Sequence, residues 1–186
     1  FDKGYKEVTL LGQNVDSYFY VPEEEGATPI TSAVLLEMVA NISPKLRVRF
    51  STSHPKDITD EVLFTMAKYH NICKYIHLPV QSGSNRILKL MGRKYTRESY
   101  LELVKELKEN IPNICLTTDI IVGFPGETEA DFLDTLEVAK KVRYYSAFTF
   151  VYSRRVGTPA DKMEDQVDEK VKSERIGRLI NLVNEI

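Results

Sequence analysis

The residues of this chain that could do chemistry stand in short polar or glycine-rich turns, each directly after an apolar run. Amide, hydroxyl, imidazole and carboxylate groups hydrogen-bond ligands, and a glycine lets a ligand approach the backbone closely. Ligands of α/β proteins sit at the carboxyl ends of strands, so these turns are candidate ligand contacts, although such glycines also serve only to make a turn. The four turns are Gly12-Gln13-Asn14, Ser51-Thr52-Ser53-His54, Gln81-Ser82-Gly83-Ser84 and Gly123-Phe124-Pro125-Gly126-Glu127.

Basic residues form a second candidate for ligand contact. Arg47 and Arg49 alternate with apolar residues and share one face of a strand, where they either meet solvent or need a partner or an anionic ligand. A basic cluster further along could hold a phosphate or a carboxylate, or could be an ordinary exposed helix face. The cluster consists of Arg86, Lys89, Arg93, Lys94 and Arg97.

Five short strand-like runs position these side chains, and a helical pattern follows each of them. Because no hairpin signal stands between the runs, the sequence predicts a parallel α/β sheet, either open and doubly wound or an incomplete barrel. The runs are residues 8–11, 46–50, 75–80, 120–122 and 146–152.

Helix boundaries and apolar faces can also be predicted. Thr128 and Asp131 have the spacing of a capping box, while Asp57 or Thr59, and Ser84, can cap earlier helices. The apolar stripes predicted from helical spacing are Leu35, Met38, Val39 and Ile42; Tyr100, Leu103, Val104, Leu107 and Ile111; and Ile176, Leu179, Ile180 and Val183.

The composition is that of an ordinary globular protein, with 186 residues, 42% hydrophobic and 28% charged, and a net charge of −2. One domain is the default expectation, without a membrane span or signal peptide, and a cytoplasmic location is predicted. Cys73 and Cys115 are far apart and favour reduced, packed thiols over a disulfide or a metal site. The sequence begins at Phe1 rather than at a Met, which is typical of a fragment of a longer protein.

Six motifs, in order along nearly the whole chain, resemble the radical S-adenosylmethionine (SAM) methylthiotransferase family. Two of them, Leu11 to Val15 and His77 to Ser84, are similar to its tRNA-modifying branch of the MiaB type rather than to the branch that modifies a ribosomal-protein aspartate. The six motifs are Glu7 to Val15, Arg49 to Pro55, His77 to Ser84, Met91 to Glu98, Thr118 to Glu127 and Arg155 to Ala160.

The resemblance implies a fold, a reaction and partners. The fold is an α/β partial (β/α)6 TIM-like barrel of the radical SAM type lacking the first strand, with residues 1–186 holding the second to sixth βα units. The implied parent enzyme uses SAM and two 4Fe–4S clusters, with an electron donor such as flavodoxin or ferredoxin. A 5′-deoxyadenosyl radical abstracts hydrogen from C2 of an N6-prenylated adenosine next to the anticodon of a tRNA stem-loop, and a methylthio group is added there.

The resemblance also implies roles for individual residues in binding SAM. Gly12, Gln13 and Asn14 match the turn facing its amino and carboxylate groups, and Arg93 could pair with that carboxylate. Further residues match positions of the family near the ribose, the sulfonium and the adenine of SAM, or at the edge of the last strand. These residues are Gln81, Ser82, Ile121, Gly123, Glu127, Tyr152 and Ser153, with Ser51 and Ser53 as further contacts.

The Cys-x-x-x-Cys-x-x-Cys motif of the family is expected upstream of Phe1, together with an amino-terminal cluster domain, and an RNA-binding module is expected beyond the carboxyl end. Cys73 and Cys115 cannot replace that motif, so the fragment is expected to hold no cofactor and to be inactive. Three alternatives remain open: a threonylcarbamoyl-adenosine tRNA substrate, a ribosomal-protein aspartate substrate, or a non-catalytic RNA-binding scaffold docking through residues 86–97.

Overall fold

The computed structural model describes residues 1–12, 15–24, 26–51 and 58–186. Within it the chain divides into two compact units, Phe1–Leu78 with Lys105–Cys115, and Pro79–Val104 with Leu116–Ile186. Helix α4 (Arg97–Asn110) begins in the second unit and ends in the first.

The first unit contains two strands that pair in parallel, as the sequence predicts. Strand β1 (Glu7–Leu10) lies beside β4 (Arg47–Phe50), with Leu10 opposite Phe50, and Val48 of β4 is fully buried. The other elements are β2 (Phe19–Tyr20), β3 (Ile30–Thr31), α1 (Ser32–Ala40), α2 (Asp60–Lys68) and β5 (Tyr75–His77).

The expectation that no hairpin interrupts the parallel pattern is wrong for the segment between β1 and α1. There β2 and β3 pair antiparallel, with Phe19 opposite Thr31 and Tyr20 opposite Ile30. Two-residue strands are too short to produce an alternating pattern in the sequence, which is why periodicity misses them.

The apolar face predicted for α1 is also wrong. Leu36 is the large side chain that this helix buries, together with Ala33 and Ala40, whereas Met38 and Ile42 are more than half exposed. The helix is apolar over most of its surface, so spacing alone does not select the buried side. Its cap is Thr31, whose side chain accepts a hydrogen bond from the Val34 amide.

Except for Cys115, which belongs to the first unit, β6 (Cys115–Val122) forms the centre of the second unit together with β7 (Ser146–Val151). The two strands pair in parallel, with Ile121 opposite Phe150. The backbone of Gln81 pairs with β6 at the other edge, through Gln81 N to the Asp119 carbonyl and Ile121 N to the Gln81 carbonyl, both at 2.9 Å. Helices α3 (Asn85–Leu90), α5 (Glu129–Val142) and α6 (Glu169–Glu185) complete the unit.

The predicted helix caps are present wherever the structure describes them. Thr128 and Asp131 form both hydrogen bonds of the capping box that opens α5, and Thr59 and Ser84 cap α2 and α3. Asp57, the alternative cap of α2, lies outside the described residues. In the described part of the chain, no helix is both long and apolar enough to cross a membrane.

Helix α6 differs from its predicted pattern. Leu179 is buried as expected, but Ile180 is 41% exposed, and the charged residues Lys172 and Arg175 are buried instead. Long basic side chains can bury their stems against apolar surface. These two residues contact the glycine turn that follows β6.

Candidate functional site

An open cleft of about 880 Å³ lies in the second unit, where β6 and β7 end. Three segments form its walls: the end of α3, the turn after β6, and the turn after β7. Mixed apolar and polar side chains line it, namely Gln81, Leu90, Met91, Gly92, Arg93, Asp119, Ile121, Phe124, Phe150, Val151, Tyr152, Ser153, Arg155, Thr158, Pro159 and Ala160.

The alternation of β6 decides which of its side chains reach the cleft. Ile120 and Val122 are fully buried, whereas Asp119 and Ile121 point to the opposite face and line the cleft. The register then places Phe150 of β7 beside Ile121, and Phe150 is 50% exposed. The cleft therefore combines the carboxylate of Asp119, the aromatic ring of Phe150 and the aliphatic side chain of Ile121.

Gln81 enters the cleft from a strained backbone conformation, with φ of 64°. The Tyr95 hydroxyl, which donates to the Val80 carbonyl at 3.1 Å, supports the preceding segment, and burial raises the pKa of Tyr95 to about 12. Gln81 itself is buried and its side chain lines the cleft.

Ser82 and Gly83, which follow Gln81, pack on α5 rather than line the cleft. The Ser82 hydroxyl lies 3.3 Å from the Thr135 hydroxyl, and the Gly83 amide donates to that same oxygen at 2.9 Å. A side chain at Gly83 would meet the Asp134 carbonyl 2.4 Å from its Cβ. The motif therefore uses glycine for a close approach to the helix.

The basic cluster of residues 86–97 divides into paired and unpaired cations. Arg86 pairs with Asp131 and donates to the Gly126 carbonyl at 2.6 Å, and Arg97 pairs with Asp134 at 2.8 Å. Arg93, which lines the cleft, is exposed and forms no ion pair with any residue that the structure describes. The cluster thus leaves one guanidinium in the cleft for an anionic group.

The glycine turn after β6 is held from behind by a buried ion pair. Gly123 has φ of +73°, and its amide donates to Glu127 Oε1 at 2.9 Å. Arg175 of α6 donates to the same oxygen at 2.8 Å and to the Glu127 carbonyl at 3.1 Å. Burial raises the pKa of the Glu127 carboxyl, and the Gly123 amide and Arg175 offset part of that rise.

Lys172 of α6 fixes the aromatic wall of the cleft. Its stem fills the space beside Gly123, with Cγ 2.4 Å from where a Cβ would stand, and its Nζ lies 5.6 Å from the centre of the Tyr152 ring. Tyr152 in turn packs edge-on against Phe124, at 5.2 Å between ring centres. Both aromatic residues line the cleft.

The structure therefore brings together five of the residues predicted to bind SAM. Gln81, Arg93, Ile121, Tyr152 and Ser153 line the cleft, whereas Ser82, Gly123 and Glu127 lie behind its walls.

The remaining predicted site residues belong to the first unit or lie outside the described residues. Gly12 and Ser51 follow the paired ends of β1 and β4, and the Ser51 amide donates to the Leu10 carbonyl at 3.1 Å. Gln13, Asn14 and Ser53, together with His54, lie outside the described residues.

The arginines of β4 have a partner within their own unit. Arg47 and Arg49 pair with Glu7, at 3.3 and 3.0 Å, and these side chains are each more than a third exposed. Such pairs contribute little stability. This face of β4 accordingly offers no cation that needs a ligand.

Asp119, Phe150 and Arg155 are among the cleft residues that sequence reasoning did not predict as ligand contacts. Asp119 and Phe150 can be placed in the cleft only when the register of β6 against β7 is known, and the sequence alone does not reveal that register. The alternation of side chains along each of the two strands is visible in the sequence. Arg155 stands in a motif that carries the family resemblance, but nothing in its spacing assigns it a role.

Two solved structures share this fold. Coproporphyrinogen III oxidase (HemN) from Escherichia coli, described as a radical SAM enzyme, has a TM-score of 0.65 over 81% of this chain and 36% of that chain, at 17% identity. The archaeal Methanocaldococcus infernus Elp3 with an N-terminal deletion has a TM-score of 0.60 over 97% of this chain and 45% of that chain, at 14% identity. At these identities the likeness concerns the fold, and it confirms the α/β radical SAM fold class predicted from the sequence.

The family model described as the radical SAM superfamily matches residues 1–139, and the chain belongs to that superfamily. Membership implies SAM and iron–sulfur chemistry in the parent protein.

Within the superfamily, the chain is similar to proteins named tRNA-2-methylthio-N(6)-dimethylallyladenosine synthase. It is 56% identical to that of Thermoanaerobacter sp. (strain X514) over 99% of this chain, 57% to that of Alkaliphilus oremlandii over 100%, and 59% to that of Clostridium botulinum (strain Langeland) over 99%. It spans only 38%, 38% and 40% of these relatives, respectively.

Proposed function

We propose that this chain is the SAM-binding part of a tRNA methylthiotransferase, which adds a methylthio group at C2 of an N6-prenylated adenosine next to the anticodon. The cleft of the second unit carries this proposal, because five residues expected from the resemblance to contact SAM line it together. The identity of 55% or more to synthases named for this reaction supports the choice of substrate.

The residues of the cleft fit the chemistry of SAM. The molecule has a carboxylate, a flat aromatic adenine whose faces suit apolar contacts, and positive charges on its sulfonium and amino groups. Arg93 provides a guanidinium for the carboxylate, Asp119 provides negative charge for a cationic group, and Ile121 with Phe124 provides apolar surface that excludes water. Gly123 and Glu127 act from behind by holding the turn that carries Phe124.

The thiols of the chain do not fit an iron–sulfur cluster. Cys73 and Cys115 are both half-buried free cysteines, and burial raises the pKa of the Cys73 thiol, which disfavours the thiolate that iron requires. No group of three or more potential metal ligands occurs among the described residues. We therefore propose that other parts of the parent protein hold two 4Fe–4S clusters, and that the isolated chain, which provides only part of the SAM site, retains no cofactor and is inactive.

Together with SAM, the clusters supply the one-electron chemistry that activates the unreactive C2 position. The residues of this chain bind and orient SAM beside the target base. We propose a tRNA anticodon stem-loop as substrate, flavodoxin or ferredoxin as electron donor, and the cytoplasm as the location.

Product analysis with the full-length parent protein tests this function. After anaerobic reconstitution with iron and sulfide, it should convert tRNA bearing N6-prenyladenosine to the 2-methylthio product, detected by mass spectrometry of digested tRNA. The 186-residue chain run alongside should form none. Modification of threonylcarbamoyl-adenosine or of a ribosomal peptide instead would overturn the substrate but leave the superfamily membership intact.

Two neighbouring cations provide a matched test of the cleft within the same enzyme. Arg93→Ala should raise the KM for SAM at least tenfold, because a charge-assisted pair contributes about 1.5–3 kcal/mol. Lys94→Ala should leave it within twofold, since Lys94 is exposed and does not line the cleft. Equal effects of the two variants would contradict a carboxylate contact at Arg93.

A further inference from the structure

The turn after β7, residues 153–160, belongs to the cleft but has no role in the proposed contacts to SAM beyond Ser153. Hydrogen bonds within the turn fix its shape. The Thr158 amide and hydroxyl both bond to the Arg155 carbonyl, at 3.2 and 2.8 Å, and Gly157 has φ of +89°. Arg155, which lines the cleft, is therefore carried on a defined backbone.

The two adjacent arginines of this turn differ in their partners. Arg154 pairs with Asp161 through its Nε at 3.0 Å and donates to the Asp161 carbonyl at 2.7 Å. Arg155 is exposed and forms no ion pair with any residue in the part of the chain that the structure describes. One guanidinium thus shapes the turn, and the other is available to an anion.

Exposed apolar side chains occur in the same cleft as Arg155 and beside it in the sequence. Phe150, at the end of β7, is 50% exposed and lines the same cleft, and Val156, at the tip of the turn, is 97% exposed. An exposed aromatic ring and an unpaired guanidinium in one cleft are the combination that binds nucleotides in single-stranded RNA, because bases stack on aromatic rings and arginine contacts phosphate.

We infer that Phe150 and Arg155 form the subsite for the target nucleotide, with Phe150 packing against the prenylated base and Arg155 contacting a phosphate of the RNA backbone. The inference rests on the proposed function, which supplies an RNA substrate with an apolar group on its reacting base. It assigns two parts of the cleft to different molecules: Arg93, the β6 turn, Tyr152 and Ser153 to SAM, and Phe150 with Arg155 to RNA.

RNA binding to the full-length reconstituted protein tests the role of Arg155. The probe is an anticodon stem-loop RNA carrying N6-dimethylallyladenosine, and its Kd is measured over a series of salt concentrations. Arg155→Ala should weaken binding about tenfold and reduce the slope of log Kd against log salt by about one, as expected for one lost phosphate contact. Arg155→Lys should retain most of the salt dependence, and the control Lys162→Ala, at an exposed cation that does not line the cleft, should stay within twofold of wild type.

A second pair of probes tests Phe150. Stem-loops with unmodified adenosine and with N6-dimethylallyladenosine are compared, and Phe150→Ala should weaken binding of the prenylated RNA about tenfold while reducing its preference over the unmodified RNA. The KM for SAM should stay within twofold in every variant.

The outcomes separate this inference from the proposed function. If the wild-type protein forms the methylthio product and the Arg155 and Phe150 variants bind RNA as wild type does, the subsite is wrong and the function stands. If no tRNA product forms but RNA affinity still depends on Arg155 and Phe150, the function is wrong and the RNA subsite stands. A rise in the KM for SAM with unchanged RNA affinity would assign both residues to SAM and overturn the inference.

Discussion

A single carboxylate, that of Asp131, joins the first turns of two helices, α3 and α5. Its Oδ2 accepts hydrogen bonds from the Thr128 amide and hydroxyl at 2.8 and 2.6 Å, its Oδ1 accepts one from the Ser84 hydroxyl at 2.5 Å, and Arg86 pairs with it. Burial by itself raises the pKa of Asp131, but the hydrogen bonds from Arg86, Ser84 and Thr128 outweigh it and hold that pKa well below its usual range.

We expect Asp131→Asn to lower the free energy of unfolding by about 2 kcal/mol at pH 7, because hydrogen bonds to a charged group are lost. The folded pKa lies below the unfolded value of about 4, so the charge stabilises the fold above about pH 4, and this contribution is lost as the pH falls through the folded pKa. Urea unfolding at pH 7 and pH 3 should show a smaller difference between wild type and variant at pH 3.

Asp134→Asn is the control for this prediction, because Asp134 lies on the same helix in a partly exposed pair with Arg97. We expect it to cost less than about 1 kcal/mol. A loss as large as that of Asp131→Asn, or a difference that does not change with pH, would contradict the role given to Asp131.

At the scale of elements, α6 supports the glycine turn through two buried cations. Arg175 binds both the side chain and the carbonyl of Glu127, and Lys172 fills the space beside Gly123. The match to the superfamily model ends at residue 139, so this support comes from a part of the chain outside that match. The position of the cleft wall therefore depends on a helix distant in sequence.

Removing Arg175 should destabilise the second unit strongly. Arg175→Met leaves the Glu127 carboxylate buried without its cation, which typically costs about 3–5 kcal/mol, whereas the double variant Glu127→Gln with Arg175→Met should recover part of that loss. Arg178→Met is the matched control, since Arg178 is 36% exposed and its pairs should contribute under about 1 kcal/mol. Urea unfolding measures all three variants, and equal effects at positions 175 and 178 would exclude a supporting ion pair.

Most elements of the fold could be predicted from the sequence, because turn residues and caps act locally. The capping box of Thr128 and Asp131 and the parallel pairing of β6 with β7 are examples. The buried side of α1 and the burial of Lys172 and Arg175 could not be predicted, since both depend on which element covers the helix. Periodicity assigns charged residues to the solvent side, but a long basic side chain can bury its stem when a carboxylate receives its head group.

The candidate site was only partly accessible from the sequence for a related reason. The family resemblance identifies Gln81, Arg93, Ile121, Tyr152 and Ser153, whose motifs are local, and the structure brings them into one cleft. Asp119 and Phe150 join the cleft only through the register between two strands. Arg154 and Arg155 are adjacent residues of the same type, so the sequence alone does not reveal which of them pairs with an acidic residue. The position of Asp161, which pairs with Arg154, decides this.

At the scale of the whole molecule, the proposed reaction requires thiolates that neither cysteine of this chain is suited to provide. Cys73 and Cys115 both belong to the first unit and are half-buried, whereas the cleft lies in the second unit. A raised thiol pKa, as burial produces at Cys73, makes a poor iron ligand at neutral pH. These cysteines should therefore have a packing role.

We expect Cys73→Ser and Cys115→Ser, each made in the full-length parent protein, to leave iron and sulfide content unchanged after anaerobic reconstitution. Both quantities can be measured chemically and by the visible absorbance of the clusters, and the isolated 186-residue chain should take up none. A modest loss of stability, about 1 kcal/mol, is expected from placing a hydroxyl in a half-buried apolar position. Loss of a cluster on replacing either residue would show that the first unit supplies an iron ligand, and would overturn the assignment of both clusters to other parts of the protein.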